Sequence, residues 1–241
     1  MENMLKKLQG IIDQSRSIVF FGGAGVSTES GIPDFRSTDG LYHQKYKVPP
    51  ETILSHTYFM QHTEAFFRFY KDKMLCLQAK PNAAHRKLAE MEKAGRLLAV
   101  VTQNIDGLHQ RGGSKTVYEL HGSIYRNYCM QCKKAFTAQY ILESAKVPKC
   151  DQCGGVIKPD VVLYEEGLDE QTVQNAVSAI ARADCLIIAG TSLTVYPAAG
   201  MVRYFGGRHL VLINRDQTAM DASADLVIHE KVGQVLGQLI L

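Results

Sequence analysis

The sequence predicts an α/β protein in which a doubly wound parallel sheet carries a smaller inserted domain. Three observations predict this class. Short apolar runs alternate with segments of helical periodicity, two stretches interrupt that alternation, and 241 residues lie near the upper limit for a single core. We therefore expect one large domain with a modest insertion.

Six short runs are the predicted strands, and several are continuously apolar, as is typical of parallel strands covered on both faces. They are residues 17–21, 98–102, 117–120, 185–189, 210–213 and 225–228. Apolar residues with helical spacing lie between them, which favours βαβ crossovers. The predicted helices are residues 2–15, 82–94, 169–183 and 232–240.

Two stretches break the alternation. Residues 35–80 begin as a loop rich in Gly, Pro and Tyr and continue as an aromatic helical segment, which predicts a small helical cap. Residues 125–158 hold two cysteine pairs with few large apolar residues between them, so we expect them to need a metal to fold. Residues 1–34, 81–124 and 159–241 then form the large domain.

Composition excludes several classes of protein. With 46% hydrophobic and 21% charged residues, the chain is neither disordered nor collagen-like nor a coiled coil. Its net charge of +3 argues against nucleic-acid binding driven by counterion release. The N-terminus lacks the apolar core of an export signal, and the longest uncharged stretch is interrupted by Gly, Thr, Ser and Pro. We therefore expect a cytoplasmic protein without a membrane span.

The cysteine spacing is the most specific motif. Cys129 and Cys132 form one Cys-x-x-Cys pair, and Cys150 and Cys153 form another. This pattern predicts a zinc ribbon, whereas surface thiols or a redox pair are the alternatives. Four thiolates fill a tetrahedral site and leave no position for a water nucleophile, so the zinc is expected to be structural.

A glycine-rich turn follows the first predicted strand. Residues 22–27 (GGAGVS) come directly after an apolar run, and we expect a helix N-terminus there that presents backbone N–H groups to a phosphate, as in dinucleotide folds. Thr28 replaces the third glycine of the usual fingerprint, and no acidic residue closes a second strand about 20 residues later. A simple hydride-transfer enzyme is therefore disfavoured.

Polar residues follow two further strands. Asn104 and Asp106 come after the strand at 98–102, and His121 follows the strand at 117–120 beside Gly122. The carboxyl ends of parallel strands are where open α/β sheets bind ligands. The alternatives are that Asn104 and Asp106 only cap the next helix and that His121 is structural or solvated.

Together these segments resemble the sirtuin family of NAD-dependent protein deacylases, in its bacterial single-domain form. The matching segments are residues 23–27 (GAGVS), 31–36 (GIPDFR), 102–109 (TQNIDGLH), 121–122 (HG), the four cysteines, 190–193 (GTSL) and Asn214. The resemblance implies a Rossmann-like domain beside a zinc-bearing domain. It also implies transfer of the acyl group of acyl-lysine to the ADP-ribose of NAD, with release of nicotinamide and 2′-O-acyl-ADP-ribose.

The resemblance also assigns residues. It makes His121 the base that activates the ribose hydroxyls, and Asn104 and Asp106 the catalytic contacts to ribose and nicotinamide. Phe35 would shield the reacting ribose, and Arg36 would balance phosphate charge. The implied NAD-binding set is Ala24, Gly25, Thr28, Phe35, Arg36, Gln103, Asn104, Ile105, Asp106, His121, Gly190, Thr191, Ser192, Asn214 and Val232.

The implied peptide site lies between residues 161–167 and 193–197, where the acyl-lysine peptide adds as a strand. Val162, Tyr164 and Val195 are the matching positions. Here the chain departs from the family pattern, because Lys158 replaces an arginine and Glu165 replaces a glycine. Gly22 also replaces a frequent threonine.

The acyl group is a separate question. Sirtuins that remove acidic acyl groups resemble one another in a Tyr-x-x-Arg pair, and this chain has Tyr70 and Lys73 instead. A lysine lacks the planar fork that holds a carboxylate, so we expect deacetylation to be faster than desuccinylation. Two rival functions remain open at this point: mono-ADP-ribosyl transfer in the same cleft, and nucleic-acid binding by the zinc ribbon.

Overall fold

The computed structural model describes residues 1–34, 40 and 46–241. Its main sheet has six parallel strands in the order β3-β2-β1-β7-β8-β9. They are β1 (Ile18–Gly22), β2 (Leu97–Thr102), β3 (Val117–Glu119), β7 (Cys185–Ala189), β8 (His209–Ile213) and β9 (Leu226–Ile228). Strand order therefore reverses between β1 and β7, as in a doubly wound dinucleotide-binding sheet. The predicted fold class is confirmed.

Helices cover both faces of the sheet, because alternate strand residues point to opposite sides. Ile18 and Phe20 belong to one buried cluster, with α1 (Glu2–Gln14), α5 (Ala83–Lys93) and α9 (Val232–Leu236). Val19 and Phe21 belong to the other, with α8 (Glu170–Arg182) and a 3-10 helix (Ala198–Tyr204). Burial on both faces explains why these strands are continuously apolar in sequence.

The ends of the predicted strands and helices differ from the observed ones by at most one residue, except at the C-terminus. Asn82 and Asp169 are N-caps whose side chains accept backbone N–H groups, so α5 and α8 begin one residue later than predicted. The helix predicted to run to residue 240 ends at Leu236, because Gly237 follows and the chain continues in tight turns.

The helix expected after the glycine turn is also absent. Two short 3-10 helices, Ala24–Val26 and Thr28–Ser30, take its place, and the second ends at Gly31 in the left-handed conformation. That backbone geometry suits glycine, which has no Cβ to oppose it.

The cap and the small sheet share one core. The cap contains α2 (Pro50–Ile53), α3 (His56–Gln61), α4 (Thr63–Phe69) and a π-helical turn (Tyr70–Met74). The small sheet has the order β5-β4-β6, with β4 (Gly122–Cys129), β5 (Ala135–Phe136) and β6 (Ile157–Val161), and α6 (Leu108–Arg111) and α7 (Ala138–Glu143) lie nearby in sequence. Phe66, Phe67 and Tyr70 pack with Ile141 and Ile157 in a single cluster. The exact division into domains stays a prediction.

Within the described ranges, every helix is too short or too polar to cross a membrane.

Candidate active site

A cavity of about 410 Å³ lies at the carboxyl edge of the parallel sheet, where the strand order reverses. The loops after β1, β2, β3, β7, β8 and β9 all contribute to its wall. The predicted residues that line it are Ala24, Gly25, Thr28, Gln103, Asn104, Ile105, Asp106, His121, Gly190, Thr191, Ser192, Asn214 and Val232, and also Val162, Tyr164 and Val195. Their contacts to ligands stay predictions. Phe35 and Arg36 lie outside the described residues.

The loops after β1 and β7 meet backbone against backbone. The Gly25 N–H donates to the Gly190 carbonyl oxygen at 2.8 Å. A Cβ on Gly25 would lie 2.7 Å from the Gly190 Cα, and a Cβ on Gly190 would lie 2.5 Å from the Val26 nitrogen. Since contacts this short are prohibited, both positions require glycine, and the cavity floor at the strand reversal is formed by bare backbone.

Ser27 joins the amide and the carboxylate that follow β2. Its hydroxyl donates to Asp106 Oδ2 at 2.6 Å and accepts from Asn104 Nδ2 at 3.1 Å. The other Asp106 oxygen, Oδ1, accepts the Leu108 N–H at the start of α6. Burial raises the pKa of Asp106, while the bonds from Ser27 and Leu108 act in the opposite direction.

This network shows that the capping alternative is partly correct. Asp106 does bind the first turn of α6, but with one oxygen only. The second oxygen and the Asn104 side chain are held by Ser27 at the cavity wall. Ser27 was not among the predicted site residues, although it ends the GAGVS segment at residues 23–27.

His121 is fixed in one tautomer. Its Nδ1 lies 2.9 Å from the Gln103 carbonyl oxygen. Because a carbonyl oxygen only accepts, Nδ1 carries the hydrogen, and Nε2 is left with a free lone pair. Burial lowers the pKa of His121, although the bond to Gln103 opposes this shift. The imidazole is therefore neutral at physiological pH and its Nε2 is able to accept a proton.

Gln103 connects this half of the cavity with the other. Its backbone N–H donates to the Gly22 carbonyl, and its side-chain amide donates to Thr191 Oγ1 at 3.0 Å. Thr191 Oγ1 in turn accepts the Leu193 N–H. The loops after β1, β2 and β7 are therefore held in one bonded arrangement.

Arg215 and Asp34, which were not among the predicted site residues, also line the cavity. Arg215, directly after Asn214, forms an ion pair with Asp34 at 3.3 Å between Nη2 and Oδ2. Glu29 accepts the Gly233 N–H at 2.6 Å, which ties the β1 loop to α9 beside Val232. Both contacts join residues about 180 or more positions apart, so no local pattern signals them.

Both predicted peptide segments contribute residues to the cavity wall. Val162 is held by its N–H, which donates to the His121 carbonyl oxygen at 3.0 Å. Tyr164 pairs with Ser55 in a short parallel bridge to the cap. In the second segment, Leu193 adopts the left-handed conformation and Tyr196 is 64% exposed.

The four cysteines form one cluster. Their sulfur atoms all lie within 4.8 Å of one another, with 3.4 Å between Cys129 and Cys153 and 3.6 Å between Cys132 and Cys150. Sulfurs bound to zinc at about 2.3 Å stand about 3.8 Å apart at tetrahedral corners. The four-thiolate set therefore fits a structural zinc ion, and none of the four is in a disulfide.

These features define the class of protein: a doubly wound dinucleotide-binding domain with a histidine, an amide and a carboxylate at its crevice and a four-thiolate metal cluster beside it. Residues 23–197 match the model of the Sir2 family. The chain belongs to the Sir2, or sirtuin, family, as the sequence motifs predict.

Curated relatives cover essentially the whole chain. An NAD-dependent protein deacetylase from Clostridium acetobutylicum is 61% identical over 239 residues, 98% of each chain, and one from Clostridium perfringens is 56% identical over the full length of both. Among solved structures, a Sir2 variant with a deacetylated p53 peptide and 3′-O-acetyl ADP-ribose is 42% identical, with a TM-score of 0.89 over 96% of this chain and 95% of that one. A Sir2 protein bound to an acetylated peptide has a TM-score of 0.85 at 40% identity, with the same coverage.

Proposed function

We propose that Asn104, Asp106 and His121 carry out the reaction of an NAD-dependent protein deacetylase in the cavity at the strand reversal. Membership of the family and the full-length match to deacetylases establish the activity, so this chain is an NAD-dependent protein deacetylase. The observation that supports the residue roles is the meeting of all three side chains at one cavity whose floor is bare backbone. When bound, NAD supplies the ADP-ribosyl group that accepts the acetyl group as nicotinamide leaves.

Asp106 and Asn104 orient the reacting end of the dinucleotide in this proposal. Asp106 Oδ2 is a hydrogen-bond acceptor at the cavity wall, suited to a carboxamide NH₂. The Asn104 amide, held by Ser27, offers a polar contact to a ribose hydroxyl. Because Ser27 fixes both groups, they need no reorganisation when the ligand binds, which favours catalysis.

His121 is the proposed base. Its Nε2 accepts the proton of a ribose hydroxyl, which increases the nucleophilicity of that oxygen toward the acetyl carbon. The Nδ1–H bond to Gln103 keeps the ring in the required tautomer throughout. The proton affinity suits the task, because burial keeps the free imidazole neutral near pH 7.

The acetyl-lysine peptide enters, in this proposal, as a strand between residues 161–167 and 193–197. Val162, Tyr164 and Val195 line the cavity at these walls. Their backbones offer main-chain hydrogen bonds that do not depend on peptide sequence. We also place the enzyme in the cytoplasm, where the free cysteines stay reduced and available to zinc.

The role of His121 is tested by separating two steps of the reaction. In His121→Ala, removal of the base should nearly abolish deacetylation of an acetyl peptide, while exchange of labelled nicotinamide into NAD should be retained to a larger extent. His62→Ala, which removes an exposed histidine of the cap, is the matched control. Equal loss of both activities, or a wild-type deacetylation rate, would remove His121 from the proposed role.

A further inference from the structure

Glu165 places a carboxylate on the wall of the proposed peptide groove. It lines the cavity, within the segment that is predicted to pair with the peptide. Its φ is +75°, in the left-handed region where glycine is the usual residue. Leu193, in the other predicted peptide segment, at +56°, and Lys133 are the other non-glycine residues with positive φ in the part of the chain that the structure describes.

Both the backbone N–H and the side chain of Thr57 hold this carboxylate. Oε2 accepts the Thr57 N–H at the start of α3 at 2.9 Å, which fixes the direction of the side chain. Bonds from Thr57 lower the pKa of Glu165, so the group is an anion throughout the neutral range. Within residues 1–34, 40 and 46–241, no lysine or arginine forms an ion pair with it.

The neighbouring charges do not neutralise Glu165, because they are paired with Glu166. Lys158 Nζ lies 3.0 Å from Glu166 Oε2, and His56 Nδ1 lies 2.8 Å from Glu166 Oε1. Lys73, which also lines the cavity, is paired with Asp72 at 3.0 Å. The other predicted peptide segment, 193–197 (LTVYP), has no charged side chain. Among the described residues named here, the charge of Glu165 is therefore the one that is left without an ion-pair partner.

We propose that Glu165 makes this deacetylase favour acetyl-lysine peptides with a basic residue, lysine or arginine, close to the acetyl-lysine. The inference rests on the proposed strand-addition site, and it adds the chemical class of the flanking residue. A cationic side chain beside the groove gains Coulomb energy with Glu165, whereas an acidic one is repelled. Because the pair is exposed, the effect on kcat/KM is modest, about two- to fivefold.

The test uses a peptide series of equal length with one acetyl-lysine. All other residues are neutral, and a single arginine, glutamine or glutamate is placed in turn at each of the three positions on either side. We expect arginine at one or two positions to exceed glutamine by about two- to fivefold in kcat/KM, and glutamate to be slower than glutamine. Raising the salt from about 0.05 to about 0.5 M should reduce these ratios.

Three variants assign the preference to Glu165. Glu165→Gln keeps an oxygen for the Thr57 N–H and removes only the charge, so the arginine-to-glutamine ratio should fall to about 1. Glu165→Gly removes the charge and relieves the left-handed backbone, and it should give the same ratio as Glu165→Gln. Glu143→Gln makes an equal change in net charge on α7, away from the cavity, and should retain the wild-type ratio.

The readout is a ratio between peptides, so a general change in rate cancels. Equal rates for arginine and glutamine at all six positions in the wild type would overturn the proposal. A preference that persists in Glu165→Gln and Glu165→Gly would overturn it as well. Failure of the wild type to deacetylate the glutamine-containing peptides of the series would instead refute the proposed peptide site. The two conclusions are therefore distinguishable.

Discussion

The Ser27 hydroxyl bridges Asp106 and Asn104, and its removal in Ser27→Ala should have a measurable effect on catalysis. The substitution removes a hydroxyl that is 1% exposed, donates to the Asp106 carboxylate and accepts from the Asn104 amide. A hydrogen bond to a charged group contributes about 1.5–3 kcal/mol, and the loss also leaves the Asn104 N–H without its partner. With a loss of about 2 kcal/mol of transition-state stabilisation, kcat/KM for NAD should fall about 30-fold.

A pH profile distinguishes this positioning role from a general loss of stability. Burial already raises the pKa of Asp106, and the Ser27 bond opposes the rise. Without the hydroxyl the pKa rises further, so the acid limb of kcat/KM moves to higher pH. The assay is the initial rate at saturating acetyl peptide, with NAD varied from mildly acidic to mildly alkaline pH.

Two further variants serve as controls. Ser27→Cys keeps a side chain of similar size with a weak donor, and an intermediate loss is expected. Ser178→Ala removes an exposed hydroxyl on α8 and should behave as the wild type. If Ser27→Ala retains the wild-type kcat/KM and acid limb, then the bridge has no part in positioning Asp106 and Asn104.

Three other predictions follow from the structure. Cys150→Ala removes one of four clustered thiolates, so bound zinc should fall from one equivalent to none and activity should fall with it; full zinc content by metal analysis would contradict the four-thiolate site. The buried pair of His85 and His109 should make the fold acid-labile. Burial lowers the pKa of His85 to about 4 and that of His109 well below 6.5. The unfolded chain therefore binds more protons than the folded one, and the free energy of unfolding falls as the pH drops from 6.5 towards 4. The lowered pKa of His85 alone corresponds to a change of about 3 kcal/mol in the free energy of unfolding. Urea unfolding at each pH, with zinc release followed separately, measures this change, and His109→Phe should reduce the pH dependence of stability. Finally, acetyl peptides should be turned over faster than matched succinyl peptides, because the charge of Lys73 is already paired with Asp72; a faster succinyl rate would refute this expectation.

The parts of the fold that depend on local pattern were predictable. The strands β1 and β7 are apolar throughout, and β8 is apolar after His209, because helices cover both faces of the sheet. That pattern is visible in the local sequence alone. The zinc cluster was predictable for a similar reason, since each ligand pair is local in sequence. Residues placed at strand ends, such as Asn104 and His121, followed from the general rule for open sheets.

The parts that depend on contacts between distant segments were not predictable. The Ser27–Asp106 bond joins residues 79 positions apart, and the Glu165 bond to Thr57 joins residues 108 apart. Neither contact leaves a periodicity or a spacing in the sequence. The end of α9 was mispredicted because the apolar pattern continues past Gly237, where the backbone leaves the helix.

We propose that the bond between nicotinamide and ribose is broken in the cavity at the strand reversal, and that the ADP-ribose then accepts the acetyl group of lysine. The most direct measurement is nicotinamide release by the wild-type enzyme with and without an acetylated peptide, with the products identified by mass spectrometry. We predict release that depends on the peptide and equals, mole for mole, the acetyl-ADP-ribose and deacetylated peptide formed. Release that is independent of acetyl-lysine, with ADP-ribose transferred to protein in place of acetyl-ADP-ribose, would contradict it.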